Sequence, residues 1–273
     1  MKFNKLRKFY RRLFPLKISE SERFYSNLMK LRSIRKIEYN QGNYILTTEK
    51  DNILNVRNEH HSDYLVYRQI FEDQEYLPVL KIIDLNNIVD DKCFVMIDAG
   101  ANVGYTTVYF ANHYKKRLII GVEPSLDNFD VYKMNTKALQ DGGLIVYNKA
   151  LSHSKGIKYN LDREFRDGKD WGITTTENEK GIIDGITIQE IIEENKLSYI
   201  TLLKIDIEGA ERFVLTKEND LSFLDITYVL AVEIHDEFNC RENIYELLKS
   251  KGFILLESRE LTIALNKDLI CRK

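Results

Sequence analysis

The chain has 273 residues with 40 Lys or Arg against 42 Asp or Glu, a net charge of −2. That length suits one sizeable α/β domain with a smaller N-terminal piece, and the near balance of charge argues against a nucleic-acid binder over the molecule as a whole. Cys93, Cys240 and Cys271 are odd in number, scattered and in no CxxC pair, so neither a disulfide framework nor a cysteine zinc site is supported and a reducing cytoplasm fits.

The charge is uneven along the chain. Residues 1–36 hold twelve Lys or Arg against two Glu, which leaves the remainder acidic. Within that head Phe3, Leu6, Phe9 or Tyr10, and Leu13 recur at helical spacing. They predict a basic amphipathic helix, suited to peripheral contact with an anionic membrane surface or to a terminal helix with a solvated face. Charge every two or three residues leaves no signal-peptide core and no run of about 20 apolar residues, so the expected location is the cytoplasm, with its membrane face as the alternative.

Residues 37–57 alternate loosely, with turn signals at Asn40 to Asn43 and Lys50 to Asn52, and predict two or three short strands. Helix and strands together make an N-terminal extension over 1–58, ahead of a main domain at 59–273. From Ser62 to Leu85 the apolar spacing predicts two helices with Pro78 as the break.

The pattern then becomes strand followed by helix. "CFVMIDA" precedes a helix at 103–115 and "RLIIGVE" one at 125–139; "GLIVYNKAL" is a third strand, with a helix near 187–195. "YITLLKIDI" precedes a helix at 209–218, and "ITYVLAVEIH" one at 241–251. Such alternation predicts a parallel sheet with helices on both faces. "GFILLESRELTIALNKDLIC" closes the chain as an antiparallel edge hairpin turning at Ser258 to Glu260.

"FVMIDAGANVGYTTVYFA" is a buried strand, a glycine turn and a helix start, a context in which backbone and helix N–H groups approach a nucleotide-like cofactor. The glycines do not fit the GxGxxG dinucleotide spacing; the pattern is D-x-G-x-x-x-G through Asp98, Gly100, Asn102 and Gly104. An aspartate in this turn repels a pyrophosphate but suits a neighbouring sulfonium or amino group, which favours S-adenosylmethionine over NAD. Glu123, closing the next strand, is placed to accept the ribose hydroxyls, and Asn148 and Ala150 to flank the adenine.

A second concentration of charge follows. In "TLLKIDIEGAE", Lys204, Asp206 and Glu208 alternate with Leu203, Ile205 and Ile207, a costly arrangement unless it lies at the open end of the strand or is paired. "VEIHDEF" repeats the device with Glu233 and His235 on one side. These five residues are the candidate catalytic groups, with His235 as the base by intrinsic pKa and Asp206 or Glu233 orienting it or the substrate. Glu211 reads as a carboxylate favoured in a helix first turn. Asp206, Glu208, Glu233 and His235 are competent ligands for a divalent ion, but sequence fixes neither their number nor their distances, and no metal is assigned.

These blocks, with "GVEPSLDNFDVYKMN" and "YNKALS" between them, resemble the FkbM family of S-adenosylmethionine-dependent methyltransferases over about residues 60–270. The resemblance implies a class I methyltransferase fold, a Rossmann-like, mostly parallel seven-stranded sheet. It also implies O-methylation of a hydroxyl on a sugar, such as a polysaccharide or glycolipid precursor, or on a secondary metabolite. One departure is Gln189, where the family commonly has an aspartate. Trp171, in a polar insertion, is a candidate for stacking on a sugar. Pro15, Pro78 and Pro124 are the only prolines, so the proline-containing turns of nucleic-acid base methyltransferases are absent. An RNA ribose methyltransferase using Lys204 and Asp206, and a non-catalytic protein docking on a membrane or partner, are the competing readings; no nucleic-acid partner is expected.

Overall fold

The computed structural model describes residues 18–162 and 174–271. The basic stretch at 3–13 and Trp171 lie outside them. Ser19 starts α1 (Glu20–Leu28) with a reciprocal cap, accepting the Glu22 backbone N–H while the Glu22 carboxylate accepts the Ser19 backbone N–H. The strands foreseen next are β1 (Ile34–Asn40), β2 (Asn43–Thr48) and β3 (Ile53–Val56), paired antiparallel. Leu46, Leu54 and Val56 are fully buried and cluster with Phe94 and Met96 of the main sheet, so the chain on either side of residue 58 shares one core. Buried Arg57 fastens the junction by binding Asp63 at 2.6 Å and Asn128 at 2.9 Å.

Two helices follow, α2 (Asp63–Tyr67), which runs on as one π turn over 68–72, and α3 (Leu77–Leu85). The break falls ahead of Pro78, which occupies the first turn of α3, where a missing N–H has no partner to lose. Thereafter come β4 (Phe94–Ala99), α4 (Tyr105–His113), β5 (Arg117–Val122), α5 (Leu126–Asn135), β6 (Leu144–Tyr147), β7 (Ala150–Leu151) and β8 (Lys158–Asp162). Next are β9 (Thr174–Glu177), β10 (Ile183–Ile186), α6 (Ile188–Asn195), β11 (Ile200–Ile205) and α7 (Glu211–Val214). β12 (Thr227–Glu233), α8 (Arg241–Ser250), β13 (Phe253–Ser258), β14 (Leu261–Asn266) and α9 (Lys267–Cys271) complete the chain.

The main sheet has seven strands in the order β13-β14-β12-β11-β4-β5-β6. Only β14 runs against its neighbours, which gives the expected parallel sheet with an antiparallel edge hairpin. Successive residues of β4 feed opposite faces. Met96 belongs to one apolar cluster with Val79 and Ile83 of α3 and Phe110 of α4; Ile97 belongs to a second with Ile191 of α6 and Leu248 of α8. The helices thus cover both sides of the sheet. Among the described residues no helix is long and apolar enough to cross a membrane.

Three elements differ from expectation. Residues 143–151 are two strands, because the exposed Asn148 donates to the carbonyls of Glu123 and Pro124 and turns the chain out of the main sheet. β7 then joins a second sheet, β7-β10-β8-β9, part of which lies in the region read as a polar loop. The helix foreseen at 209–218 is the single turn α7, whose terminal carbonyls at Phe213 and Val214 accept from the Asn219 amide.

Candidate active site

β4 and β11 lie side by side, with Asp98 opposite Lys204 and Ala99 opposite Ile205. Here the order of the parallel strands reverses, and ligands of open α/β sheets bind beyond the carboxyl ends at such a point. A cavity of about 340 Å³ opens there. Gly100, Ala101, Asn102, Glu123 and Ala150 wall one side, and Lys204, Asp206, Glu208 and Glu233 the other.

On the first side Gly100 has φ +74, and a Cβ there would stand 1.7 Å from the Asp206 carbonyl oxygen. Gly104, φ +84, meets the Tyr132 ring in the same way at 2.7 Å. Both glycines are thus required by packing within the protein. Gly100 also faces the cavity, whereas Gly104 stands off its wall as the cap of α4. Glu123 accepts the backbone N–H of Asn102 at 2.8 Å and of Ser125 at 2.9 Å. Burial pushes its carboxyl up to about 7, against the pull of those amides. The Asn102 side-chain oxygen is buried without a hydrogen-bond partner. Asn148 is off the cavity wall, while Ala150 lines it.

Asp98 does not reach the cavity. It is fully buried, accepts from Thr107 Oγ1 at 2.8 Å and lies 3.4 Å from Lys204 Nζ, so the cation beside it is a lysine of this chain, where a cofactor sulfonium was expected. Lys204 Nζ also donates to the Gly100 carbonyl at 2.5 Å and the Ala99 carbonyl at 3.3 Å, and stands 3.5 Å from Asp206 Oδ2. Burial alone would lower the Lys204 pKa; Asp206 and Asp98 outweigh it and hold the ammonium charged.

On the second side the expected base is displaced from its role. His235 lies off the wall, its side chain only 1% exposed, with Nδ1 2.9 Å from Glu211 Oε1. Its Nε2 lies 3.4 Å from Glu208 Oε2 and 3.7 Å from Glu233 Oε1. Burial works to lower its pKa, but the Glu208 and Glu211 carboxylates prevail and raise it to about 11. A ring protonated at neutral pH and screened from the cavity cannot take a proton from a substrate there. Glu211, read as an ordinary first-turn carboxylate, is fully buried and accepts the backbone N–H groups of Gly209 and His235 as well as facing the ring.

Glu233, pushed up to about 9 by burial and then by Asp206, stays on the wall with Asp206 and Glu208. Two acids not foreseen join them. Glu75, ahead of α3, is buried and raised to about 7 by burial, with Asp206 and Glu260 adding to it. Glu260 comes from the β13–β14 turn. Gln189, the departure from the family pattern, lies on α6, donates to Ser222 and does not line the cavity. Asp206, Glu208 and His235 each offer a metal-ligating atom within 4.8 Å of the others.

The family described as "Methyltransferase FkbM domain" matches residues 98–255. Methyltransferase sdnD of Sordaria araneosa is 26% identical, the match covering 71% of this chain and 83% of that protein. Methyltransferase 1 of Beauveria bassiana (strain ARSEF 2860) is 24% identical, over 71% and 82%. The crystal structure of methyltransferase FkbM from Methylobacillus flagellatus KT superposes with a TM-score of 0.44 at 16% identity, covering 63% of this chain and 43% of that one. This chain therefore spans less than half of that protein.

Proposed function

Because the chain belongs to the FkbM methyltransferase domain family, we propose that this methyltransferase uses S-adenosylmethionine to methylate a hydroxyl of a sugar or small metabolite. What supports the reading above all is one cavity bounded by both halves, the turn after β4 with Glu123 and the acidic ends of β11 and β12. The first half fits an adenosine. Glu123 keeps acceptor capacity beyond the two amides it binds, and the partnerless Asn102 oxygen is a buried acceptor awaiting a donor. S-adenosylmethionine would supply the methyl group from a positively charged sulfur.

The second half supplies position and a proton acceptor. An alcohol is a poor nucleophile at neutral pH, so a carboxylate that takes its proton accelerates attack. Glu75 suits that task, since a carboxyl near 7 can accept a proton and release it again at the working pH. Asp206 and Glu233 orient the hydroxyl, and Lys204 holds the two strand ends at fixed separation. The carboxylates of Asp206, Glu208 and Glu260 on the cavity wall repel a phosphate backbone, which favours a small acceptor over RNA.

Calorimetry of the purified chain with S-adenosylmethionine is the direct test, and absence of binding heat would sink the cofactor assignment. Mass spectrometry of glycans and small metabolites from cells with and without the gene then seeks a species that loses one methylene increment; unchanged masses throughout would sink the acceptor assignment.

A further inference from the structure

We propose that Asp206, Glu208, Glu233 and His235 bind one divalent metal ion, with the Glu211 carboxylate orienting the imidazole. The catalytic meaning of that ion rests on the O-methylation reading above; the site itself rests on the arrangement of these side chains.

Two independent features meet here. The first is the spacing. Asp206, Glu208 and His235 present ligand atoms within 4.8 Å of one another, and Glu233 Oε1 stands 3.7 Å from His235 Nε2. Ligands about 2.0–2.2 Å from a common ion stand roughly 3–4.4 Å apart in tetrahedral or octahedral geometry, so only small side-chain rotations separate this cluster from a coordination shell.

The second feature is the imidazole. His235 Nε2 is buried and makes no hydrogen bond, although it points into the gap between Glu208 and Glu233. A buried ring nitrogen that faces two carboxylates at 3.4 and 3.7 Å yet makes no hydrogen bond calls for an explanation. The Glu211 carboxylate supplies one: Oε1 faces Nδ1 at 2.9 Å while holding the His235 backbone N–H, and Oε2 holds the Gly209 N–H. With its proton on Nδ1 and donated to Glu211, the ring turns the Nε2 lone pair toward the three carboxylates. This is the carboxylate–histidine–metal relay by which an outer carboxylate fixes tautomer and orientation.

A metal takes the Nε2 lone pair, the position that a proton would otherwise claim. Three carboxylates with one imidazole fit a small first-row ion such as Mn²⁺ or Zn²⁺ better than Ca²⁺, which prefers a larger all-oxygen shell. Asp206, Glu208 and Glu233 also line the cavity. An ion held by them lies where an acceptor hydroxyl arrives, and a hydroxyl bound to such an ion gives up its proton more readily.

The test uses the full chain, stripped with a chelator and titrated with Mn²⁺ alone by calorimetry and electron paramagnetic resonance. The expected result is saturable binding of one ion per chain and nitrogen hyperfine coupling from the imidazole. Glu208→Gln and His235→Gln should each weaken binding at least about 100-fold, and His235→Gln should abolish the nitrogen coupling. Glu211→Gln, a positioning change, should weaken binding about 10–100-fold and alter the coupling. Should His235→Gln fail to fold, Glu208→Gln decides.

No saturable binding, or binding that Glu208→Gln leaves unchanged, overturns the proposal. The same preparation is titrated with S-adenosylmethionine. Mn²⁺ binding without cofactor binding sinks the cofactor assignment and leaves the metal site standing; the reverse sinks the metal site alone.

Discussion

The turn after β4 and the end of β11 carry the same written pattern, an apolar strand, an aspartate and then glycine, and they lie side by side in the sheet. Their aspartates end in opposite circumstances. Asp98 is sealed beneath the turn, held by Thr107 and Lys204, whereas Asp206 keeps 31% of its side chain exposed on the cavity wall. Lys204 stands opposite Asp98 in register, so Asp206 falls two residues further along, past the last paired strand residue. That offset decides their roles. A carboxylate buried among apolar strands costs several kcal/mol unless paired, so Asp98 is committed to holding the fold while Asp206 faces the cavity.

The largest expected effect sharpens this contrast through the glycine between the two ends. Gly100→Ala should cost at least about 5 kcal/mol in a denaturant titration, because the added Cβ overlaps the Asp206 carbonyl on a backbone with φ +74. Gly42→Ala, at φ +91 with nothing within 4 Å, should cost about 1 kcal/mol. Equal costs would show that the two strand ends are not in contact.

Next, Lys204→Met should lose about 3–5 kcal/mol by stranding Asp98 as an uncompensated buried charge. Asp206→Asn should change stability by less than about 1 kcal/mol while lowering turnover; if it destabilises as much as Lys204→Met, the assignment of separate roles breaks.

Glu75→Gln tests the acidic side of the cavity. It should lower kcat/KM about 100-fold and remove an inflection near pH 7, below which the wild-type rate falls as the carboxyl becomes protonated. The stability sign is opposite. A carboxyl raised from 4.5 to about 7 contributes stability that is complete below 4.5 and lost as pH rises through 7. The variant should therefore show a flatter unfolding free energy across that window. The smallest effect is at the cofactor end, where Glu123→Gln should weaken S-adenosylmethionine binding about tenfold by calorimetry, the scale of one charge-assisted hydrogen bond.

Much of this arrangement was legible in the sequence. The apolar runs ending in Ala99, Val122, Ile205 and Glu233 predict the parallel strands, and the charges at the strand ends mark Asp206, Glu208 and Glu233 as groups at the open end of the sheet. Side-chain partnership was not legible. Period two places Lys204 and Asp206 on one side of a strand, but not which neighbouring carboxylate the ammonium will meet. Helical periodicity between Ser62 and Leu85 locates Glu75 without saying that it looks into the cavity. Glu211 passed for a first-turn carboxylate because its partner, His235, is 24 residues away. Two signals were present and unused: Ser19 and Glu22 at capping-box spacing, and the β-branched run at Thr174 to Thr176 that became β9.

The Lys204 ammonium binds the Gly100 and Ala99 carbonyls and sits against Asp206, so the ends of β4 and β11 form one linked unit. Such a unit resists piecemeal change, since altering one side disturbs the other. Glu75 and Glu260 come instead from a pre-helix segment and a hairpin turn that touch neither strand end in register. Substitutions flanking Glu75 and Glu260 in those two outer segments can therefore reshape the cavity while the Lys204 bracket between β4 and β11 stays intact.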